Sequence, residues 1–188
     1  MLKELNMKQV VFIDRDGTIN HDRGYIYRVN DFEFIPGVLT ALQALTRAQK
    51  KNIIVTNQAG IARGLYTEED YHHLTQHMLQ ELAAAHVKIE GVFHCPHHPN
   101  GSVPAYTMAC LCRKPNPGML EQGLKLVKSS AAQAVMIGDK NSDIEAGLCL
   151  NMTTYLVETG YGIEEKASTQ AHYTVANLAA AVEHLLKV

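Results

Sequence analysis

Three short apolar runs in this chain each end abruptly in polar residues able to do chemistry, and that arrangement restricts the fold more than any other feature. Val10-Val11-Phe12-Ile13 runs into Asp14-Arg15-Asp16-Gly17-Thr18. Ile53-Ile54-Val55 runs into Thr56-Asn57-Gln58, and Val135-Met136-Ile137 into Gly138-Asp139-Lys140. An uninterrupted apolar run of this length, without alternation, is what a strand buried on both faces requires, as in a parallel sheet.

The intervening sequence supplies helices. Val38, Leu39, Leu42 and Leu45 have helical spacing within a segment expected to run from Val38 to Lys50, opened by Pro36-Gly37. Thr67 with Asp70 three residues later is a variant capping box that opens a long helix to Ala85. Asn116 as N-cap and Pro117 in the first turn predict a helix toward Lys128, and further helices are expected over Ser142–Leu150 and Leu178–Lys187. Val92-Phe93 and Thr153–Val157 complete the strands. Alternation of strand and helix predicts an α/β fold, a mainly parallel, Rossmann-like sheet covered by helices on both faces, in one domain spanning 1–188. Ligands in such folds bind at the carboxyl ends of the strands, which is where the three polar clusters fall.

Charge and length exclude other classes. A formal net charge of -2 gives no electrostatic basis for nucleic-acid binding. No apolar segment approaches the ~20 residues needed to span a bilayer. Met1 to Lys8 mixes charged and apolar residues and lacks the apolar run of an export signal. The expectation is a soluble, monomeric cytoplasmic enzyme acting on a small molecule.

Asp14 and Asp16, one residue apart at the end of a buried strand, would repel each other unless a cation or a shared proton relieved them. Magnesium suits them, because it prefers hard oxygen ligands and leaves positions for water and phosphate. Asp139 offers a third carboxylate, and Gly17 allows a tight turn after the pair. A lone Asp after a strand is usually a turn or cap residue; agreement between three strand ends outweighs that reading here.

Of four cysteines, three crowd one region with several histidines: Cys95-Pro96-His97-His98, then Cys110-Leu111-Cys112. Three thiolates and an imidazole suit a closed tetrahedral zinc site better than disulfides in a chain without an export signal. Spacing alone leaves His94, His97 and His98 open as the imidazole ligand. His72, His73 and His77 on the long helix read as a solvated face, and Cys149 as a small buried apolar residue. Tyr25 and Tyr27 read equally well as loop packing or as substrate contacts.

Asp14-Arg15-Asp16-Gly17-Thr18-Ile19, Thr56, Lys114, and Gly138-Asp139 with Asp143 resemble, in order, motifs I to IV of the haloacid dehalogenase superfamily, across essentially the whole chain. The resemblance implies that Asp14 is a nucleophile forming an aspartyl-phosphate. It implies that Asp16 is the acid and then the base, and that Thr56 and Lys114 neutralise the transferred group. Magnesium would be held by Asp14, Asp139 and the backbone carbonyl of Asp16. There is no room for the mobile cap domain of many members, and the zinc loop of about 94–115 looks like its substitute.

Cys95-Pro96-His97-His98-Pro99 with Cys110-Leu111-Cys112-Arg113-Lys114-Pro115 is similar to a narrower group holding heptose-bisphosphate and histidinol-phosphate phosphatases. That resemblance favours His97 as the zinc ligand. The heptose branch is favoured by three segments: the Thr56–Gly64 loop, which lacks an acidic residue after Gln58; Lys140 after Asp139; and Asp22-Arg23-Gly24-Tyr25. The implied sugar-bisphosphate contacts are Asp22, Arg23, Gly24, Tyr25, Asn57, Gln58, Ala59, Arg113 and Lys140. Arg113 and Lys140 supply cations beyond those needed by the transferred phosphoryl group.

Overall fold

A computed structural model describes residues 9–187; Met1 to Lys8, read above for an export signal, lie outside them. Six strands pair in the order β3-β2-β1-β4-β5-β6, every pair parallel. They are β1 (Val10–Ile13), β2 (Lys51–Asn57), β3 (Gly91–Cys95), β4 (Ala134–Gly138), β5 (Thr153–Val157) and β6 (Tyr173–Val175). The helices are α1 (Val38–Arg47), α2 (Ala59–Ala62), α3 (Glu68–Ala84), α4 (Gly118–Leu126), α5 (Asn141–Cys149), α6 (Gly162–Glu165) and α7 (Leu178–Lys187).

Successive side chains of a strand point to opposite faces, and the core divides accordingly. Val11, Ile13, Ile54, Val135 and Ile137 pack with residues of α1, α3 and α7 on one face. Val10, Phe12, Ile53, Val55 and Met136 pack with α4 and α5 on the other. β1, Ile53-Ile54-Val55 of β2 and Val135-Met136-Ile137 of β4 are therefore apolar at every position, as read from the sequence.

Register positions the chemistry. Ile13 is level with Ile54 on one side and Ile137 on the other, so the residues that follow β1, β2 and β4 emerge together. The chain order reverses between β1 and β4, the crevice where open parallel sheets bind ligands. Between β1 and β2 the described chain forms only a 3₁₀ turn at Val29–Asp31 and α1, so no cap domain is inserted there.

Thr67 caps α3 as expected: its hydroxyl accepts from the Asp70 amide, and the Asp70 carboxylate accepts from the Thr67 amide. Such a cap contributes about 1 kcal/mol. The start of α4 differs. The helix begins at Gly118 with Pro117 at its N-cap, and the Asn116 amide instead donates to the Cys110 carbonyl at 2.8 Å. Asn116 thus ties the cysteine loop down rather than capping the helix. Cys149 is exposed, not buried, because it closes the last turn of α5 on its solvent side.

Candidate active site

Asp14 follows β1, and its backbone N–H donates to the Ile137 carbonyl of β4 at 2.9 Å, which fixes it beside the Asp139 turn. Lys114 arrives from the segment before α4. Its ammonium lies 2.6 Å from Asp14 Oδ1, 2.5 Å from Asp143 Oδ1 and 2.9 Å from the Val55 carbonyl. An ammonium has three protons to donate, and all three are engaged by acceptors from β1, α5 and β2. Gly17 sits at φ +86°, and a Cβ there would fall 2.2 Å from Asp139 Oδ2. The turn after the D-x-D pair therefore needs glycine both for its backbone angle and for its closeness to Asp139.

Burial, with Asp143 adding to it and Lys114 opposing it, pushes the Asp14 carboxyl up to about 7. Burial and the neighbouring carboxylates of Asp14 and Asp143 push Asp139 up to about 8. Carboxylate oxygens of Asp14, Asp139 and Asp143 lie within 4.8 Å of one another. Asp139 Oδ1 is buried with no hydrogen-bond partner, a costly state for a lone acceptor. An all-oxygen, anionic donor set with an unpartnered buried oxygen fits a hard dication such as magnesium.

Asp16 has a different environment. Burial alone would raise its carboxyl, but Arg15, Asn20 and Gln58 outweigh burial and hold it below the usual range. Arg15, fully buried, pairs with it through Nη2 at 2.8 Å and Nε at 3.1 Å. Asn20 Nδ2 and Gln58 Nε2 each donate to it at 3.0 Å. Gln58 also donates to Thr56 Oγ1 at 2.7 Å and accepts from the Tyr66 hydroxyl at 2.5 Å.

These groups open onto a cavity of about 330 Å³. Asp22, Gly24, Tyr25, Asn57, Gln58, Ala59, Arg113 and Lys140 line it alongside Asp14, Asp16, Thr56 and Lys114. Arg23 is not brought in; its exposed guanidinium pairs with Glu33 at 2.5 Å. Lys140 Nζ lies 3.3 Å from Asp22 Oδ2 and over the Tyr161 ring. Tyr25 faces the cavity, while Tyr27 stacks on Tyr66 at 5.1 Å, so the two tyrosines divide the roles left open above.

The cysteine loop gathers at the far end of β3. Cys95 Sγ lies 3.4 Å from Cys110 Sγ and 3.2 Å from Cys112 Sγ, and His97 Nδ1 is 3.8 Å from Cys95 Sγ and 3.5 Å from Cys112 Sγ. With zinc–sulfur bonds of about 2.3 Å, tetrahedral edges are roughly 3.8 Å, so this donor set is close to the size zinc requires. Strand alternation separates the rival imidazoles. His94 is the residue before Cys95 on β3 and points to the opposite face, where its Nε2 meets Glu68 Oε1 at 3.1 Å. His98 Nδ1 accepts the Asn100 N–H.

Arg15, Tyr66, Arg63 and Tyr161 were not singled out by sequence reasoning. Arg15 carried a signal: a full charge between two carboxylates at the end of a buried strand can only be buried if paired. Arg63 carried only its place in the Thr56–Gly64 loop; Tyr66 and Tyr161 carried none, since polar-tipped residues in loops are ordinarily solvated.

A family model for HAD-hydrolase-like proteins matches residues 111–181. The chain is 42% identical over 170 residues to the D-glycero-beta-D-manno-heptose-1,7-bisphosphate 7-phosphatase of Escherichia coli K12, covering 90% of this chain and 89% of the relative. It is 41% identical over 174 residues to the enzyme of that name from Pasteurella multocida, covering 92% and 94%. The crystal structure of D,D-heptose 1,7-bisphosphate phosphatase from B. bronchiseptica, complexed with magnesium and phosphate, superposes with a TM-score of 0.86 at 30% identity, covering 95% of this chain and 98% of that one. Identity at this level, sustained along almost the full length of both chains and joined to the carboxylate–lysine centre between β1 and β4, means that the chain belongs to the D,D-heptose 1,7-bisphosphate phosphatase family of the haloacid dehalogenase-like hydrolases.

Proposed function

We propose that this chain is a single-domain phosphoric monoester hydrolase that removes the 7-phosphate of D-glycero-D-manno-heptose 1,7-bisphosphate and leaves heptose 1-phosphate, on the route to ADP-heptose and lipopolysaccharide core. The observation that carries the reading is Lys114 Nζ bridging Asp14 and Asp143 at 2.6 and 2.5 Å on the floor of an open cavity. A cation beside the carboxylate read as the nucleophile supports phosphoryl transfer, which needs charge neutralised at that point.

Asp14 attacks phosphorus, forming the acyl-phosphate bond as the ester bond to the sugar oxygen breaks. Asp16 gives that oxygen its proton, then takes a proton from the water that attacks the aspartyl-phosphate and frees Asp14 and phosphate. The Arg15 pair favours ionised Asp16, the form used in the second step; exclusion of water by bound substrate favours the protonated form used in the first. Thr56 and Lys114 neutralise the transferring oxygens. Asp14, Asp139 and the Asp16 carbonyl would hold magnesium, which would supply further charge neutralisation. Cys95, His97, Cys110 and Cys112 would hold zinc through four protein ligands, which would give it a structural role. It would stiffen the loop that carries Arg113 and Lys114.

Arg113 and Lys140 hold the sugar end and its 1-phosphate. A cationic imidazole substrate would instead seek a carboxylate in the cavity; Asp22 is there, but Lys140 lies 3.3 Å away and neutralises it. Among the described residues no helix is long and apolar enough to cross a membrane, and we assign the enzyme to the cytoplasm as a monomer. The discriminating experiment is relative turnover on heptose 1,7-bisphosphate, fructose 1,6-bisphosphate and histidinol phosphate. The first should be preferred by at least about a hundredfold in kcat/KM, and a preference for histidinol phosphate would overturn the assignment.

A further inference from the structure

Glu68 and His72 are four residues apart on α3, one above the other on the same helical face. His94, on β3, reaches that face because strand alternation turns it away from Cys95 and toward α3. The three side chains offer a carboxylate oxygen and two imidazole nitrogens within 4.8 Å of one another. Glu68 Oε1 and His94 Nε2 are 3.1 Å apart, close to the donor–donor spacing of about 3.4 Å around a tetrahedral ion with bonds near 2.1 Å.

The surroundings orient these donors. The Tyr106 hydroxyl donates to Glu68 Oε2 at 2.6 Å, leaving Oε1 directed at His94. Tyr71 stacks on the His94 ring with centroids 4.1 Å apart and fixes its plane. Metal-ligating groups are commonly held by such outer hydrogen bonds and packing. His72 is exposed, and its ring stands edge-on to that of His94 with centroids 5.5 Å apart, so it closes the group from the solvent side.

We propose that Glu68, His72 and His94 form a second transition-metal site, separate from both the strand-end carboxylates and the cysteine loop. Its three mixed nitrogen and oxygen ligands select a borderline divalent ion such as zinc or nickel over magnesium, and water fills the open position. The bound ion joins α3 to β3. Through Glu68 and Tyr106 it also fastens the Pro104–Tyr106 turn of the cysteine loop to α3.

The test is calorimetric titration of the purified protein with Zn²⁺, under reducing conditions and in excess magnesium. Wild type is compared with His72→Ala, Tyr106→Phe and the control His73→Ala, an exposed histidine of α3 outside the group. Wild type should bind one more equivalent than His72→Ala. Tyr106→Phe should keep that equivalent with about tenfold weaker affinity, and His73→Ala should match wild type. Equal stoichiometry in wild type and His72→Ala, or equal loss in His73→Ala, would overturn the proposal. Phosphatase activity in magnesium and the melting temperature of His72→Ala, both measured without added Zn²⁺, should match wild type, which would show that the lost equivalent does not reflect misfolding.

Discussion

Asp14, Lys114 and Asp143 reach one point from three separate parts of the chain, whereas Cys95, His97, Cys110 and Cys112 reach theirs from one strand end and the loop that follows it. The first group is held by the sheet. The strand ends it rises from are set by register between β1, β2 and β4, and Lys114 bridges two of its carboxylates within the protein. The second group has little regular structure around it beyond a 3₁₀ turn at Pro104–Tyr106. Without a metal, three thiols and an imidazole have no reason to converge. The catalytic centre is therefore expected to survive loss of its function without loss of fold, and the loop to show the reverse.

The largest effect expected is at Asp14, the proposed nucleophile. Asp14→Asn removes the attacking carboxylate while leaving an oxygen to accept from Lys114, so turnover should fall by more than about a thousandfold with an unchanged melting temperature. Activity within tenfold of wild type would contradict the covalent route. Asp16→Asn should cost roughly a hundredfold or more, because one carboxyl serves both proton transfers. The loss should be greatest on esters with poor leaving groups, and an unchanged rate on such an ester would remove Asp16 from the acid role.

Arg113→Ala tests the join between the two regions, since Arg113 follows Cys112 directly and its guanidinium donates to the His97 carbonyl at 3.3 Å. A charge-assisted contact of about 1.5–3 kcal/mol corresponds to roughly tenfold to a hundredfold in kcat/KM. That loss is expected on the sugar bisphosphate and not on a small aryl phosphate. Equal losses on both would mean that Arg113 serves the chemistry generally. Cys112→Ser should have the smallest effect on turnover, about tenfold or less, but should lower the melting temperature. A loss of about 2 kcal/mol in a chain of this size gives ~4–8 °C. Elemental analysis of the wild type should find loop-bound zinc, and its absence after purification without chelator would contradict the account of the loop.

The same contrast governs how much could be read from the sequence. The bounds of β1, β5 and α7 were legible from Val10–Ile13, Thr153–Val157 and Leu178–Lys187 because burial on one or both faces writes a continuous apolar signal. β6 was not, since Tyr173–Val175 is short and largely exposed at the sheet edge, where pairing needs no apolar run. The four-residue helices α2 and α6 are too brief to show a period. The carboxylates and Lys114 were legible as chemical types at strand ends and in a recognisable motif order. Arg15 was legible only as a charge between two carboxylates; its burial and its pairing with Asp16 were not. Nor was Arg23's absence from the cavity, since Glu33 captures it from ten residues away. Resemblance favoured His97 over His94, but the physical reason appeared only once β3 extended to Cys95 and fixed which face each neighbour takes.

The central claim is that the cavity orients a sugar bisphosphate with its 7-phosphate against Asp14 and its 1-phosphate toward Arg113 and Lys140. Phosphorus NMR of D-glycero-D-manno-heptose 1,7-bisphosphate during turnover tests it directly. The resonance of the 7-phosphate should give way to inorganic phosphate while the anomeric 1-phosphate signal persists. Early loss of the anomeric signal instead would contradict the orientation.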